Sequence, residues 1–171
     1  GIPVARIELL DDVQMDACIR YSKLDEFAVL PTLFFEFHGS AAAVAEQAEQ
    51  MQALTAEHGG SAFRWATRPE DRNRLWKARH AAYYAGMALL PGRQGFATDA
   101  CVPISRLADC IVETKADIAT TGLTAPIVGH VGDGNFHLMI LVDPANPADL
   151  AEAERINRRL IARAQAMDGT C

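Results

Sequence analysis

The feature that most constrains the fold is an Asp133-Gly134 dipeptide between two apolar runs, residues 125–131 and 135–142. Asp-Gly in such a position is a strong signal for a two-residue β-hairpin turn. A hairpin joins antiparallel strands, whereas parallel strands need a crossover connection of a dozen or more residues. The segment therefore predicts an antiparallel sheet.

The rest of the chain alternates β-prone runs with helical patterns, and its 171 residues fit one domain, residues 1–171. We predict an α+β fold, a ferredoxin-like antiparallel sheet with helices packed on one face. A doubly wound parallel sheet is the alternative. No glycine-rich phosphate loop follows any predicted strand. Besides the two apolar runs, the predicted strands are 5–10, 31–38, 61–66 and 95–102, and the predicted helices are 12–24, 40–57, 70–90, 105–121 and 147–167.

Composition and charge exclude some classes of function. The formal net charge is −6, and no basic stripe is present, so we expect no nucleic-acid partner. The four cysteines are scattered, which suits a reducing compartment. No signal peptide is seen at the start, and no apolar run approaches the roughly 18 residues of a membrane span. We therefore expect a cytoplasmic protein.

The predicted hairpin carries two histidines. With Asp133-Gly134 at the tip, His130 lies directly opposite His137, and their Cβ atoms would be about 4.5–5.5 Å apart. Two imidazoles at that distance can chelate one divalent metal ion and leave positions for further ligands. The residues alone also fit two structural histidines that happen to flank a turn, and a bulge would separate them.

A second candidate group lies in the predicted helix 70–90. Residues spaced by three and four share a helix face, and here they are Leu75, Trp76, Arg79, Tyr83 and Gly86. An arginine among such residues could bind a carboxylate through two parallel hydrogen bonds, with the Tyr83 hydroxyl one turn away. It could equally extend to water or stack on Trp76.

Three sequence blocks together resemble one family. They are Leu-Trp-Lys-Ala-Arg-His at 75–80, Thr-Asp-Ala-Cys-Val-Pro-Ile-Ser at 98–105 and Gly-His-Val-Gly-Asp-Gly-Asn-Phe-His-Leu at 129–138. Their order and spacing resemble the C-terminal domain of FAD-linked oxidases of the cytochrome-type D-lactate dehydrogenase and glycolate oxidase subunit kind. The resemblance extends from about Ile7 to the end of the chain.

The resemblance implies a cap domain over FAD and a role for each candidate residue. His130 and His137 would bind a divalent metal ion, which ligand type leaves open between zinc, manganese and iron. Arg79 would bind the substrate carboxylate, with Tyr83 adding a hydroxyl. Relatives that oxidise D-2-hydroxyglutarate have a lysine where this chain has Ala97. The implied substrate is therefore a small 2-hydroxy monocarboxylic acid, D-lactate or glycolate, oxidised to the 2-oxo acid.

Two departures from the family pattern affect the expected activity. The flavin-binding domain is missing from this chain. The family continues past the position of Cys171 with Gly-Glu-His-Gly, which supplies the third metal ligand and the expected base. We therefore expect no catalytic residue within this chain and no activity of the chain alone. The further partners implied are the missing flavin domain and an electron acceptor, either a protein or a quinone.

Alternatives to the dehydrogenase hypothesis remain at this point. The chain could be a non-catalytic ferredoxin-like module that binds a metal ion or another ligand as a dimer. A domain separated from its partner also exposes the surface that faced it, which leaves a homodimer open. Attachment to the periphery of the inner membrane through other parts of the protein is a further expectation.

Overall fold

Strands and helices alternate along the chain in the computed structural model, which describes all residues from Gly1 to Cys171. The strands are β1 (Arg6–Leu10), β2 (Thr32–Glu36), β3 (Gln94–Ala97), β4 (Ala100–Cys101), β5 (Ile127–His130) and β6 (Asn135–Val142). The helices are α1 (Asp12–Ser22), α2 (Ala41–Glu57), α3 (Pro69–His80), α4 (Ala82–Ala88), α5 (Ile104–Ile118) and α6 (Pro147–Ala166). None of these helices combines the length and apolarity that crossing a bilayer requires.

The strands form one sheet in the order β2-β1-β5-β6-β3, with β4 also paired to β6. Every neighbouring pair is antiparallel. The predicted α+β class with an antiparallel sheet is therefore confirmed, and the parallel alternative is wrong. Strands β3 and β4 lie along the same edge of β6 and come from the single run 95–102 that the sequence predicted as one strand.

The helices pack around the sheet and cover both of its faces. On one face, Phe136, Leu138 and Ile140 form the larger core with residues of α5 and α6. On the other face, Leu10 packs in a smaller core with residues of α1 and α4. The prediction placed the helices on one face. Strand β6 explains the difference, because its residues 138–142 are all buried, a pattern typical of strands covered on both sides.

Two predicted elements differ from the structure. Residues 61–66 form no strand, because no neighbouring strand pairs with them and most of them are exposed to solvent. The predicted helix 70–90 is interrupted at Ala81. At this point the buried Gln14 side chain donates a hydrogen bond of 2.9 Å to the Ala82 carbonyl. A side chain inserted beside the helical ladder is a common cause of a kink.

A buried carboxylate, Asp11, ties α1 to the sheet and to α5. Its side chain accepts hydrogen bonds from the backbone N–H of Gln14 at 2.8 Å and of Ile127 at 3.2 Å. The Lys115 ammonium donates to its other oxygen at 2.7 Å. Burial raises the pKa of Asp11, although the hydrogen bond from Lys115 acts in the opposite direction.

We expect Asp11→Ala to lower the free energy of unfolding by about 2–4 kcal/mol, because it leaves buried donors without an acceptor. Asp12→Ala is the matched control, since Asp12 also contacts Lys115 but is more exposed. The control should cost less than about 1 kcal/mol. Urea unfolding of both variants measures the difference, and equal losses would show that the buried hydrogen bonds of Asp11 contribute little.

Candidate metal and substrate site

The β5–β6 connection differs from the predicted two-residue turn. His130 pairs with Asn135, and His137 pairs with Val128. Residues Val131–Asp133 form a short 3₁₀ turn, and Gly134 closes it with a φ of 78°. The predicted opposition of His130 and His137 is therefore wrong, because four residues rather than two make the turn.

The two histidines nevertheless lie close together. In the observed register they are diagonal neighbours on the same face of the sheet, since side chains two positions apart on a strand point the same way. Their ring centroids are 5.8 Å apart, with the rings nearly perpendicular. The face they share is the one that α1 and α4 cover.

Each imidazole has its Nδ1 atom beside an acceptor. The Nδ1 of His130 lies 2.9 Å from Glu8 Oε1, and the Nδ1 of His137 lies 3.2 Å from the Thr98 carbonyl oxygen. Carboxylate and carbonyl oxygens only accept, so in the neutral imidazoles both Nδ1 atoms carry the proton and both Nε2 atoms keep a lone pair. Metal-binding histidines in proteins usually have this arrangement. Each neutral ring therefore has an Nε2 atom that could serve as a ligand to a divalent metal ion.

No third ligand completes the pair within this chain. No cluster of three or more His, Cys, Asp or Glu side chains has an arrangement that could hold a metal ion. Asp99 comes within 3.4 Å of His137, but at Nδ1, and its carboxylate also accepts a hydrogen bond from Asn135. It therefore lies on the side of the ring away from the lone pair.

Arg79 occupies a largely buried position near the end of α3. Its side chain is 12% exposed, and its Nη2 donates to Glu8 Oε2 at 2.7 Å. Its Nε is buried and has no hydrogen-bond partner. The sequence also allowed Arg79 to stack on Trp76. In the structure it is the Arg6 guanidinium that lies over the Trp76 ring, 4.5 Å from its centroid. A guanidinium offers five N–H donors, so Arg79 can bind a further anion while it remains paired with Glu8.

Glu8 is the residue that sequence reasoning missed. Its two carboxylate oxygens contact His130 and Arg79, the two groups that the sequence singled out separately. The register of β1 with β5 pairs Leu10 with Val128, and its continuation sets Glu8 beside His130. The available signal was its position two residues before Leu10, which places a carboxylate on the buried face of the strand.

Tyr83 lies on α4, beyond the interruption at Ala81, and is 55% exposed. Its ring meets that of Tyr84 edge to face, at a centroid distance of 5.6 Å. The structure gives no hydrogen bond between its hydroxyl and Arg79. Its role in binding substrate stays a prediction.

The fold and site describe a class of domain, an antiparallel α+β domain whose sheet face joins a histidine pair to a buried arginine. The chain belongs to the family described as FAD linked oxidases, C-terminal domain, which it matches over residues 1–171. This confirms the family resemblance. A 4-ethylphenol oxidase from Gulosibacter chungangensis, solved with isoeugenol, has the same fold, with a TM-score of 0.70 and 17% identity over 96% of this chain and 38% of that one.

The curated relatives of this chain include D-lactate dehydrogenases and glycolate oxidase subunits. The chain is 54% identical over its whole length to a probable mitochondrial D-lactate dehydrogenase of Danio rerio, of which it covers 34%. It is 42% identical to the mitochondrial cytochrome-type D-lactate dehydrogenase of Arabidopsis thaliana, covering 30%. It is 26% identical over 94% of its length to glycolate oxidase subunit GlcD of Escherichia coli, covering 32%. The chain thus spans about a third of the length of these relatives.

The expected cytoplasmic localisation is contradicted by these relatives. The D-lactate dehydrogenases of Danio rerio, Arabidopsis thaliana, Kluyveromyces lactis and Saccharomyces cerevisiae are all named as mitochondrial proteins. The expectation depended on scattered cysteines and on the lack of a visible signal. Neither feature separates the cytoplasm from another reducing compartment.

The turn that carries the histidines gives a test of the observed register. Gly134→Ala should lower the free energy of unfolding by at least about 2 kcal/mol, because a left-handed φ disfavours alanine. Its Cβ would also lie 2.2 Å from the Val102 carbonyl oxygen. Gly132→Ala is the control, since the nearest atom to its Cβ is 3.6 Å away. Thermal or urea unfolding compares the two, and a tolerated Gly134→Ala would contradict the observed turn.

Proposed function

We propose that this chain is the substrate- and metal-binding domain of an FAD-dependent D-2-hydroxy-acid dehydrogenase. The intact enzyme would oxidise a small monocarboxylic acid, D-lactate or glycolate, to the 2-oxo acid. The observation that carries the proposal is that His130 and His137 share one sheet face and that Glu8 connects His130 to Arg79 of α3, in a domain from the FAD-linked oxidase family. We propose that the chain alone is inactive.

Each side chain has a distinct part in this proposal. Arg79 binds the substrate carboxylate through donors that Glu8 leaves free. His130 and His137 hold a zinc, manganese or iron ion through their Nε2 atoms. Such an ion supplies Lewis acidity at the substrate hydroxyl, and FAD supplies the redox chemistry. The chain's own contribution is to fix the substrate beside these groups.

The proposed substrate has a single carboxylate because Arg79 is the one side chain that we assign to carboxylate binding. Ala97 is exposed at the end of β3 and directly precedes Thr98, whose carbonyl oxygen lies beside His137. Its methyl group cannot pair with a second carboxylate. Tyr83 could contribute its exposed hydroxyl to the bound acid. D-lactate and glycolate, the acids in the names of the relatives, have one carboxylate each.

The direction of the backbone at Cys171 supports the expectation that residues after it supply the third metal ligand and the base. Cys101 and Thr170 form an antiparallel bridge with two backbone hydrogen bonds of 2.8 Å. A chain continued in this register would pass Asp99 and then Thr98, the residues that contact His137. We propose that residues after Cys171 complete the metal site and supply the base, which is therefore not a residue of this chain.

The alternative, a non-catalytic dimeric module that binds a metal ion or ligand, has no specific support. Family membership and the names of the relatives favour the dehydrogenase. In the proposed enzyme, a flavin-binding domain and an electron acceptor, either a protein or a quinone, are the further partners.

The histidine pair predicts metal binding by the chain itself. Calorimetric titration with zinc and with manganese should show weak binding of one ion. His130→Ala and His137→Ala should each reduce the affinity for the metal ion. The loss should exceed the roughly 10–100-fold that follows when a residue hydrogen-bonded to a metal ligand is removed. His38→Ala is the control, because His38 is 73% exposed and lies beside Glu36 instead. Unchanged affinity in both site variants would refute the proposed metal site.

The proposed role of Arg79 predicts a specific kinetic change in the intact enzyme that carries this domain. Arg79→Lys should lower kcat/KM for D-lactate at least about 10-fold, because an ammonium cannot reproduce a two-pronged contact with a carboxylate. Arg74→Lys is the control, since Arg74 is half exposed and pairs with Glu26. Steady-state kinetics with an artificial electron acceptor measures both. Equal kcat/KM in wild type and Arg79→Lys would exclude carboxylate binding by Arg79.

A further inference from the structure

We propose that Glu8 is a positioning residue that couples the metal-binding half of the site to its carboxylate-binding half. The inference rests on the proposed function and deepens it. Glu8 would act through two neighbours, since it contacts His130 with one oxygen and Arg79 with the other. It would not itself bind the metal ion or the substrate.

The geometry engages both oxygens of one buried carboxylate. Oε1 lies 2.9 Å from the Nδ1 of His130, and Oε2 lies 2.7 Å from the Nη2 of Arg79. The Glu8 side chain is only 6% exposed. Its backbone is held in the middle of β1, between β2 and β5. The backbone that carries this carboxylate is therefore fixed by the sheet.

The contact with His130 determines which ring nitrogen is free. The His130 ring is 49% exposed, and Glu8 is its one hydrogen-bond partner. An acceptor at Nδ1 keeps the proton there and leaves the lone pair on Nε2, where a metal ion can bind. His137 obtains the same orientation from the Thr98 carbonyl. His130 thus depends on Glu8 alone for its tautomer, whereas the Nδ1 of His137 has a backbone acceptor.

The contact with Arg79 controls the charge beside the metal site. Arg79 and Glu8 are both largely buried, so their charges are poorly screened by water. The Glu8 carboxylate neutralises a guanidinium that would otherwise repel a divalent cation at His130. Glu8 takes one Nη2 donor of Arg79, which leaves other guanidinium N–H groups that can still bind a substrate carboxylate. One carboxylate therefore lets a cation site and an anion site coexist.

The Glu8→Gln variant tests whether Glu8 orients His130 and Arg79 or only fills space in the core. Its side chain has nearly the same shape but only one acceptor oxygen, and the charged Arg79 would take it. The amide NH₂ would then face His130 and donate to Nδ1. The tautomer of His130 should invert, with the proton on Nε2, which is the atom the metal ion needs.

Glu36 provides a matched control on the same sheet. It is also a strand carboxylate that contacts one arginine, Arg6 at 3.4 Å, and one histidine, His38 at 3.3 Å. Neither of these neighbours belongs to the proposed site. A Glu36→Gln variant therefore tests the general effect of neutralising such a carboxylate.

The experiment measures two properties of the metal-free chain and its zinc complex. Nitrogen-15 NMR of the histidine rings reports the tautomer of His130, and calorimetric titration with zinc chloride reports affinity. Glu8→Gln should invert the tautomer and lower zinc affinity about 10–100-fold, whereas Glu36→Gln should change neither. A wild-type tautomer and wild-type affinity in Glu8→Gln, with binding still lost in His130→Ala, would overturn this inference and leave the proposed function standing.

Two further outcomes are informative. Zinc binding that does not depend on His130 would overturn the proposed function, and this inference with it. Should Glu8→Gln fail to fold, the Glu8→Leu/Arg79→Met pair replaces both buried charges with apolar groups, a change that folded proteins often tolerate. This pair also removes the acceptor at Nδ1 of His130, so zinc affinity should again fall, and an affinity equal to wild type would refute the role of Glu8.

Discussion

Strand β6 pairs with β5 along one edge and with β3 and β4 along the other, so its backbone hydrogen bonds hold the centre of the sheet together. Its side chains alternate between the two faces of the sheet, with Phe136 and Leu138 facing α5 and α6. His137 is the one ionisable residue in this strand and lies on the opposite face. The site therefore includes a residue of a central strand, and the placement of its histidines follows from the strand register.

The electrostatics of the site follow from the same arrangement. Burying a charge is costly unless a partner compensates it. Strand β1 places the Glu8 carboxylate where β5 brings His130 and α3 brings Arg79. An isolated arginine at this depth would be unfavourable, and so would an isolated glutamate. The pair is compatible with burial while it retains donors for a ligand, which explains how a polar site can lie on a covered sheet face.

The sequence predicted the elements well and their details less well. The predicted starts of α1 and α2 agree with the structure to within one residue, because the caps formed there by Asp11 and Ser40 are local interactions. The Asp133-Gly134 signal identified the hairpin, but the 3₁₀ turn shifted the pairing of His130, which local preference did not indicate. Glu8 was missed because its partners are distant in sequence, at Arg79 and His130. Only the folded sheet brings these three together.

The central claim is that His130 and His137 form a metal site through their outward nitrogens. X-ray diffraction from crystals of the zinc-loaded protein, recorded on both sides of the zinc absorption edge, tests it most directly. The account predicts one zinc ion about 2.0–2.1 Å from the Nε2 atoms of His130 and His137, with Glu8 still at the Nδ1 of His130. Zinc bound through Nδ1, or only at other residues such as the cysteines, would contradict it.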